Sequence, residues 1–134
     1  MRTAREVAET YYNAFNLGDY PKMISLVAED VRHEPNQGLP RMGKALLSEF
    51  LQSNDAAYSE QLSDFTFLEE ANGRKVAADF LVTGIYKLAG EGMPPANGQV
   101  YKLRVVAVLD VQDGLITTIR TYYNLEEWLR LVSA

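Results

Sequence analysis

The chain has 134 residues, 47% hydrophobic and 23% charged, a balance that points to one globular domain able to bury its own core. It has no cysteine and a formal net charge of −5. That excludes a disulfide framework, a thiolate nucleophile or a cysteine metal site, and argues against a nucleic-acid binder.

No apolar run approaches the roughly 18 residues of a membrane helix, and the first residues lack an apolar leader region. A protein of the cytoplasm without membrane attachment is therefore expected.

Thr3 and Glu6 are spaced as a capping box, and Val7, Tyr11, Ala14 and Phe15 follow at helical spacing. Asn16-Leu17-Gly18 closes this first helix, with Gly18 suited to a left-handed end. Asp19 caps a second short helix that accepts Pro21 in its first turn, its apolar face reading Met23, Ile24, Leu26 and Val27. Pro35 to Pro40 reads as a loop. Ala45, Leu46, Phe50 and Leu51 predict a third helix from about Met42 to Ser53.

The remainder reads mostly as strand. Ser59 to Glu69 carries Phe65 and Phe67 at strand spacing, and Asn72-Gly73 is a hairpin signal leading into Lys75 to Leu88. Ala89 to Gly98, rich in glycine and proline, is a loop. Its Met93-Pro94-Pro95 portion fits either a pocket lid or a plain connection. Val100 to Val111 is the next strand, Asp113-Gly114 turns it into Leu115 to Tyr123, and Asn124 with Glu127 caps a short last helix through Trp128 and Leu131.

Helices followed by a hairpin-connected sheet predict a single α+β domain. The expected architecture is a cone: a curved antiparallel (mixed) β-sheet wrapped around three N-terminal helices, with a short C-terminal helix. Three helices cover one face only, so the outer face is expected to be polar or to pair with a second copy in a homodimer.

The stretch Asp30 to Gly38 holds the one histidine, His33, beside Glu34, bracketed by Pro35 and Gly38. Such clusters occur where a rigid loop binds or reacts. His33 is a candidate acid–base group or an orienting group for Glu34 or substrate. Adjacent strand residues face opposite ways, so His33 and Glu34 need not share a pocket. One histidine and no cysteine make a poor transition-metal set, and neither metal nor cofactor is expected. Asn36 and Gln37 fit either turn capping or contact with a polar ligand group. Ile119, Thr121 and Tyr123 share one face of the last strand, and Arg120 and Tyr122 the other. Asp79 and Arg104 read as a solvated or interface ion pair.

Tyr11 to Asp19, Glu34-Pro35, Pro40 to Gly43, Asp113 to Ile116 and Arg120 to Leu125 together resemble the ketosteroid isomerase-related, SnoaL-like branch of the nuclear transport factor 2-like superfamily. The loop His33 to Gly38 and the segment Pro94 to Gln99 carry the same resemblance. It implies the cone fold, with Ile119, Thr121 and Tyr123 toward the cavity and Arg120 and Tyr122 on a dimer face. By resemblance Tyr11 stands where the isomerase has its oxyanion-hole tyrosine, and Glu34 where it has its catalytic base, an aspartate. Tyr11 also lies on the apolar stripe of its helix, where a core tyrosine is the plainer reading. The isomerase's second donor, a protonated aspartate, falls at about Val106, and Val105 and Ala107 beside it are apolar too.

The expected substrate-binding residues are Phe15 and Phe50 from the helices, Asn36 from the loop, and Val106, Ile119, Thr121 and Tyr123 from the sheet. The expected activity is a cofactor-independent isomerase or cyclase reaction. In it Glu34, assisted by Tyr11 and His33, moves a proton on a small apolar carbonyl compound. A non-catalytic binder of small hydrophobic molecules and a dimeric interaction module are the alternatives, because this fold hosts all three.

Overall fold

A computed structural model of the protein describes residues 2–133. The Thr3 hydroxyl accepts from the Glu6 amide at 3.3 Å, and the Glu6 carboxylate accepts from the Thr3 amide at 2.9 Å. This reciprocal pair opens α1 (Ala4–Leu17). Gly18 ends the helix at φ 71°, a left-handed conformation costly for a residue with a Cβ. Asp19 accepts from the Lys22 amide and starts α2 (Tyr20–Ser25).

Beyond α2 the chain departs from the sequence reading. Leu26 caps α2, and Val27 begins β1 (Val27–Glu34). Met42, expected to open the third helix, instead forms with Arg41 the two-residue β2 (Arg41–Met42), paired antiparallel to β1. α3 (Lys44–Ala57) starts after Gly43 and runs four residues past Ser53. The alternation that would have marked β1 is interrupted. Its register against the last strand shifts between Val27 and Arg32, so the buried positions do not alternate evenly along the strand.

β3 (Tyr58–Glu69), β4 (Lys75–Tyr86), β5 (Val100–Gln112) and β6 (Leu115–Tyr122) follow as an antiparallel meander, and α4 (Leu125–Ser133) closes the chain. The strand order is β2-β1-β6-β5-β4-β3, with β1 parallel to β6, which makes the sheet mixed. The sheet is curved and unclosed, as the cone reading expects.

Alternation is clean in the centre. Val76, Ala78, Phe80 and Val82 of β4 and Tyr101, Leu103, Val105 and Ala107 of β5 are buried. The helices cover this concave face through Val7, Ala8, Tyr11 and Tyr12 of α1 and Leu47 and Leu51 of α3. Among the described residues no helix is long and apolar enough to cross a membrane.

Candidate active site

Between the helices and the concave face lies a cavity of about 340 Å³, lined mainly by apolar and aromatic side chains. Tyr11 and Phe15 reach it from α1, and Phe50 from α3. His33 enters from β1, Asn36 from the following loop, and Ile119, Thr121 and Tyr123 from the last strand and its end. These eight expected residues share one space.

Two expected residues do not. Glu34 turns away from the cavity, because His33 takes the inward position and strand parity sends its neighbour outward. On the outer face Glu34 accepts from Arg32 Nε at 2.9 Å and lies 3.4 Å from Arg120 Nε. The Arg32 hydrogen bond is the main cause that lowers its pKa, so the carboxyl favours its charged form and is paired outside the cavity. Val106 also falls on the outer phase of β5, and Val105 is the residue that lines the cavity. Arg104 holds Asp79 at 3.0 Å and Asp64 at 2.7 Å among exposed side chains, and none of the three lines the cavity.

The carboxyl group that does line the cavity is Glu60, on β3. Its Oε2 accepts from the Tyr101 hydroxyl at 2.5 Å, and its Oε1 accepts from Asn54 Nδ2 at 3.3 Å. Glu60, Gly84 and Tyr101 are in register across β3, β4 and β5. A Cβ on Gly84 would lie 2.3 Å from Tyr101 Cζ, so glycine is what lets the ring lie flat across β4 and deliver its hydroxyl two strands away. Burial raises the Glu60 pKa, and its two hydrogen bonds oppose that shift by favouring the anion. Tyr58, Tyr101 and Tyr123 surround the carboxyl. Burial above all, with Glu60's charge contributing, keeps their hydroxyls protonated, Tyr58 being pushed up to about 12.

Sequence reading missed Glu60 for a physical reason. β3 changes phase between Ser63 and Thr66, where Asp64 adopts φ 54°. Phe65 and Phe67 pack on the core beyond this bulge, whereas Tyr58, Glu60 and Leu62 line the cavity before it. Extending the phenylalanine phase backward would put Glu60 outside. The alternation of Tyr58, Glu60 and Leu62 was the available signal.

Two further polar groups face the same space. Tyr11 is 4% exposed, burial raises its pKa, and among the described residues no protein group bonds its hydroxyl. His33 is also 4% exposed, and its Nδ1 is buried without a partner. Burial first, then the nearby Arg41 charge, lowers the His33 pKa to about 4, so the ring is neutral at ordinary pH. Its edge meets the Phe50 ring, with centroids 4.5 Å apart. Asn36 accepts from the Tyr123 amide at 3.0 Å, so it braces the loop against the end of β6 while lining the cavity.

Cone, cavity and helical cover are those of the nuclear transport factor 2-like, ketosteroid isomerase-like fold class. Within that class residues 8–119 match the SnoaL-like domain, and the chain belongs to that family.

Three solved structures are similar over nearly their whole length, each of a proposed polyketide cyclase. The protein from Xanthomonas campestris is 43% identical, with 96% of each chain covered and a TM-score of 0.92. The one from Pseudomonas putida is 41% identical, covering 98% of this chain and 99% of that one, with a TM-score of 0.95. The one from Silicibacter is 38% identical, covering 97% and 95%, with a TM-score of 0.94. No curated protein matches the sequence.

Proposed function

We propose that the cavity is the active site of a cofactor-independent isomerase- or cyclase-type enzyme in which Glu60 moves a proton on a small apolar carbonyl compound. The observation that carries this reading is the Glu60 carboxyl set into an aromatic, largely apolar wall with one short bond to Tyr101. A desolvated carboxylate is a stronger base than one in water, and its raised pKa lies nearer the operating pH.

As base, Glu60 takes a proton from the carbon beside the carbonyl. The C–H bond breaks, an O–H bond forms on the carboxyl, and the electron pair moves into the carbonyl as an enolate. The Tyr11 hydroxyl, free of protein partners among the described residues, hydrogen-bonds the enolate oxygen. Return of the proton to another carbon isomerises the substrate; alternatively the enolate carbon attacks a second carbonyl, whose π pair moves onto its oxygen and takes the proton back from Glu60 as the ring closes. The similar proteins named as proposed polyketide cyclases fit the second course. A homodimer through the outer sheet face, where Glu34, Arg120 and Tyr122 lie, belongs to the same reading and is checked by sedimentation.

The test is exchange of deuterium from D2O into the α-carbon of cyclic and aryl ketones, read by mass spectrometry. Wild type accelerates exchange, and Glu60→Gln loses about 10² or more of that rate while still binding the ketone. Binding without exchange in wild type would leave a carrier of small hydrophobic molecules instead.

A further inference from the structure

His33 is the one buried side-chain nitrogen or oxygen without a hydrogen-bond partner among the described residues. Buried polar groups are nearly always paired, so this sealed, unpartnered nitrogen fixes which tautomer the ring presents to the cavity. The ring is held firmly. β1 runs between β2 and β6, with His33 opposite Arg41 on one side and Ile119 on the other. Phe50 packs against its edge, and Arg41 lies over the far ring at 6.0 Å.

The two ring nitrogens differ. Nδ1 is sealed from solvent, which leaves Nε2 as the nitrogen that His33, a lining residue, can offer to the cavity. A proton on Nδ1 would bury an N–H with no acceptor, the rarer kind of orphan. Placing it on Nε2 leaves a donor facing the cavity. Burial and the neighbouring guanidinium disfavour a second proton.

We propose that His33 is a specificity-determining residue: its neutral imidazole donates one hydrogen bond, through Nε2–H, to a carbonyl oxygen of a ring-shaped apolar ligand. The proposal rests on the cavity being a ligand site, as the proposed function has it, but not on catalysis. Aliphatic chains without an oxygen leave the nitrogen unpaired. A ketone satisfies it and thereby fixes which end of the molecule lies beside β1.

The probes are 1-tetralone and tetralin, the same ring body with and without the carbonyl. Affinities are measured by NMR titration in untagged wild type, His33→Phe and His33→Gln. Wild type prefers the ketone by about tenfold, one good hydrogen bond. His33→Phe removes that preference and leaves tetralin binding intact, and His33→Gln, which keeps an N–H donor, restores part of it. Because the chain has one histidine, its 15N signals are read without ambiguity. Nε2 shifts with tetralone and not with tetralin.

A ketone preference that survives in His33→Phe, or an Nε2 signal that ignores tetralone, overturns the proposal. Failure of both probes to bind wild type overturns it together with the proposed function. Tetralone bound through His33 but never exchanging its α-hydrogens overturns the catalytic reading alone. If His33→Phe fails to fold, His33→Gln and the wild-type nitrogen shift still decide.

Discussion

The Tyr101 hydroxyl meets the Glu60 carboxylate at 2.5 Å although a whole strand separates the two residues. The bond exists because Gly84, midway between them, has no side chain to block the ring. A backbone position on β4 thus controls the polar chemistry of the cavity.

Gly84→Ala is therefore expected to push Tyr101 off Glu60. Overpacking of this kind costs about 1–3 kcal/mol, measured by urea unfolding. α-Hydrogen exchange on ketones should change with it, since Glu60 loses the partner that steadies it. Tyr101→Phe removes the same bond without the clash and separates the two effects.

Glu60 gives stability a definite pH sign. Its folded pKa is raised by burial, so its stabilising contribution is fully present below the ordinary carboxylate value and is lost as pH rises through the raised one. Glu60→Gln should thus gain stability relative to wild type between pH 5 and pH 8. Urea melts at the two pH values check this, and a gain that shrinks with pH would contradict it.

His33 has the opposite sign. Its folded pKa, about 4, lies below the ordinary 6.5, so its contribution is present above pH 6.5 and is lost as pH falls toward 4. A shift of that size corresponds to at most about 3 kcal/mol across the window. Comparing unfolding of wild type and His33→Phe from pH 7 to pH 4 reads it directly, the variant having the flatter profile.

Glu34→Gln should leave ketone binding and α-hydrogen exchange unchanged. Its carboxylate is tied to Arg32 and Arg120 outside the cavity. A loss of exchange as large as that of Glu60→Gln, in the deuterium assay, would return the base to β1.

Much of the fold was legible from local signals. The capping pair Thr3 and Glu6, Gly18, the cap at Asp19, the turn at Asp113-Gly114 and the Asn124 cap all act where the sequence puts them. The cavity wall was legible where parity is regular, as at Ile119 and Thr121. What escaped was phase. The bulge at Asp64 reverses the facing of β3, and the register shift in β1 hid a strand whose first residue, Val27, reads as part of a helix face. Glu34 matched a family position by sequence, yet its neighbour His33 holds the inward place. Partnership across strands, as between Glu60 and Tyr101, leaves no trace in local spacing.

The parallel pairing of β1 with β6 also sets the order in which the molecule can be completed. Asn36 and Tyr123 stand 87 residues apart and yet are joined by a hydrogen bond. At roughly 5–20 residues per second, the ribosome delivers the second on the order of 10 s after the first. Throughout that interval β1 lacks the neighbour that supports it on one side, and its apolar residues have no finished sheet to join. The wall that carries His33 is thus among the last parts to assemble, and slowed synthesis of β6 would prolong the exposure of an open strand edge.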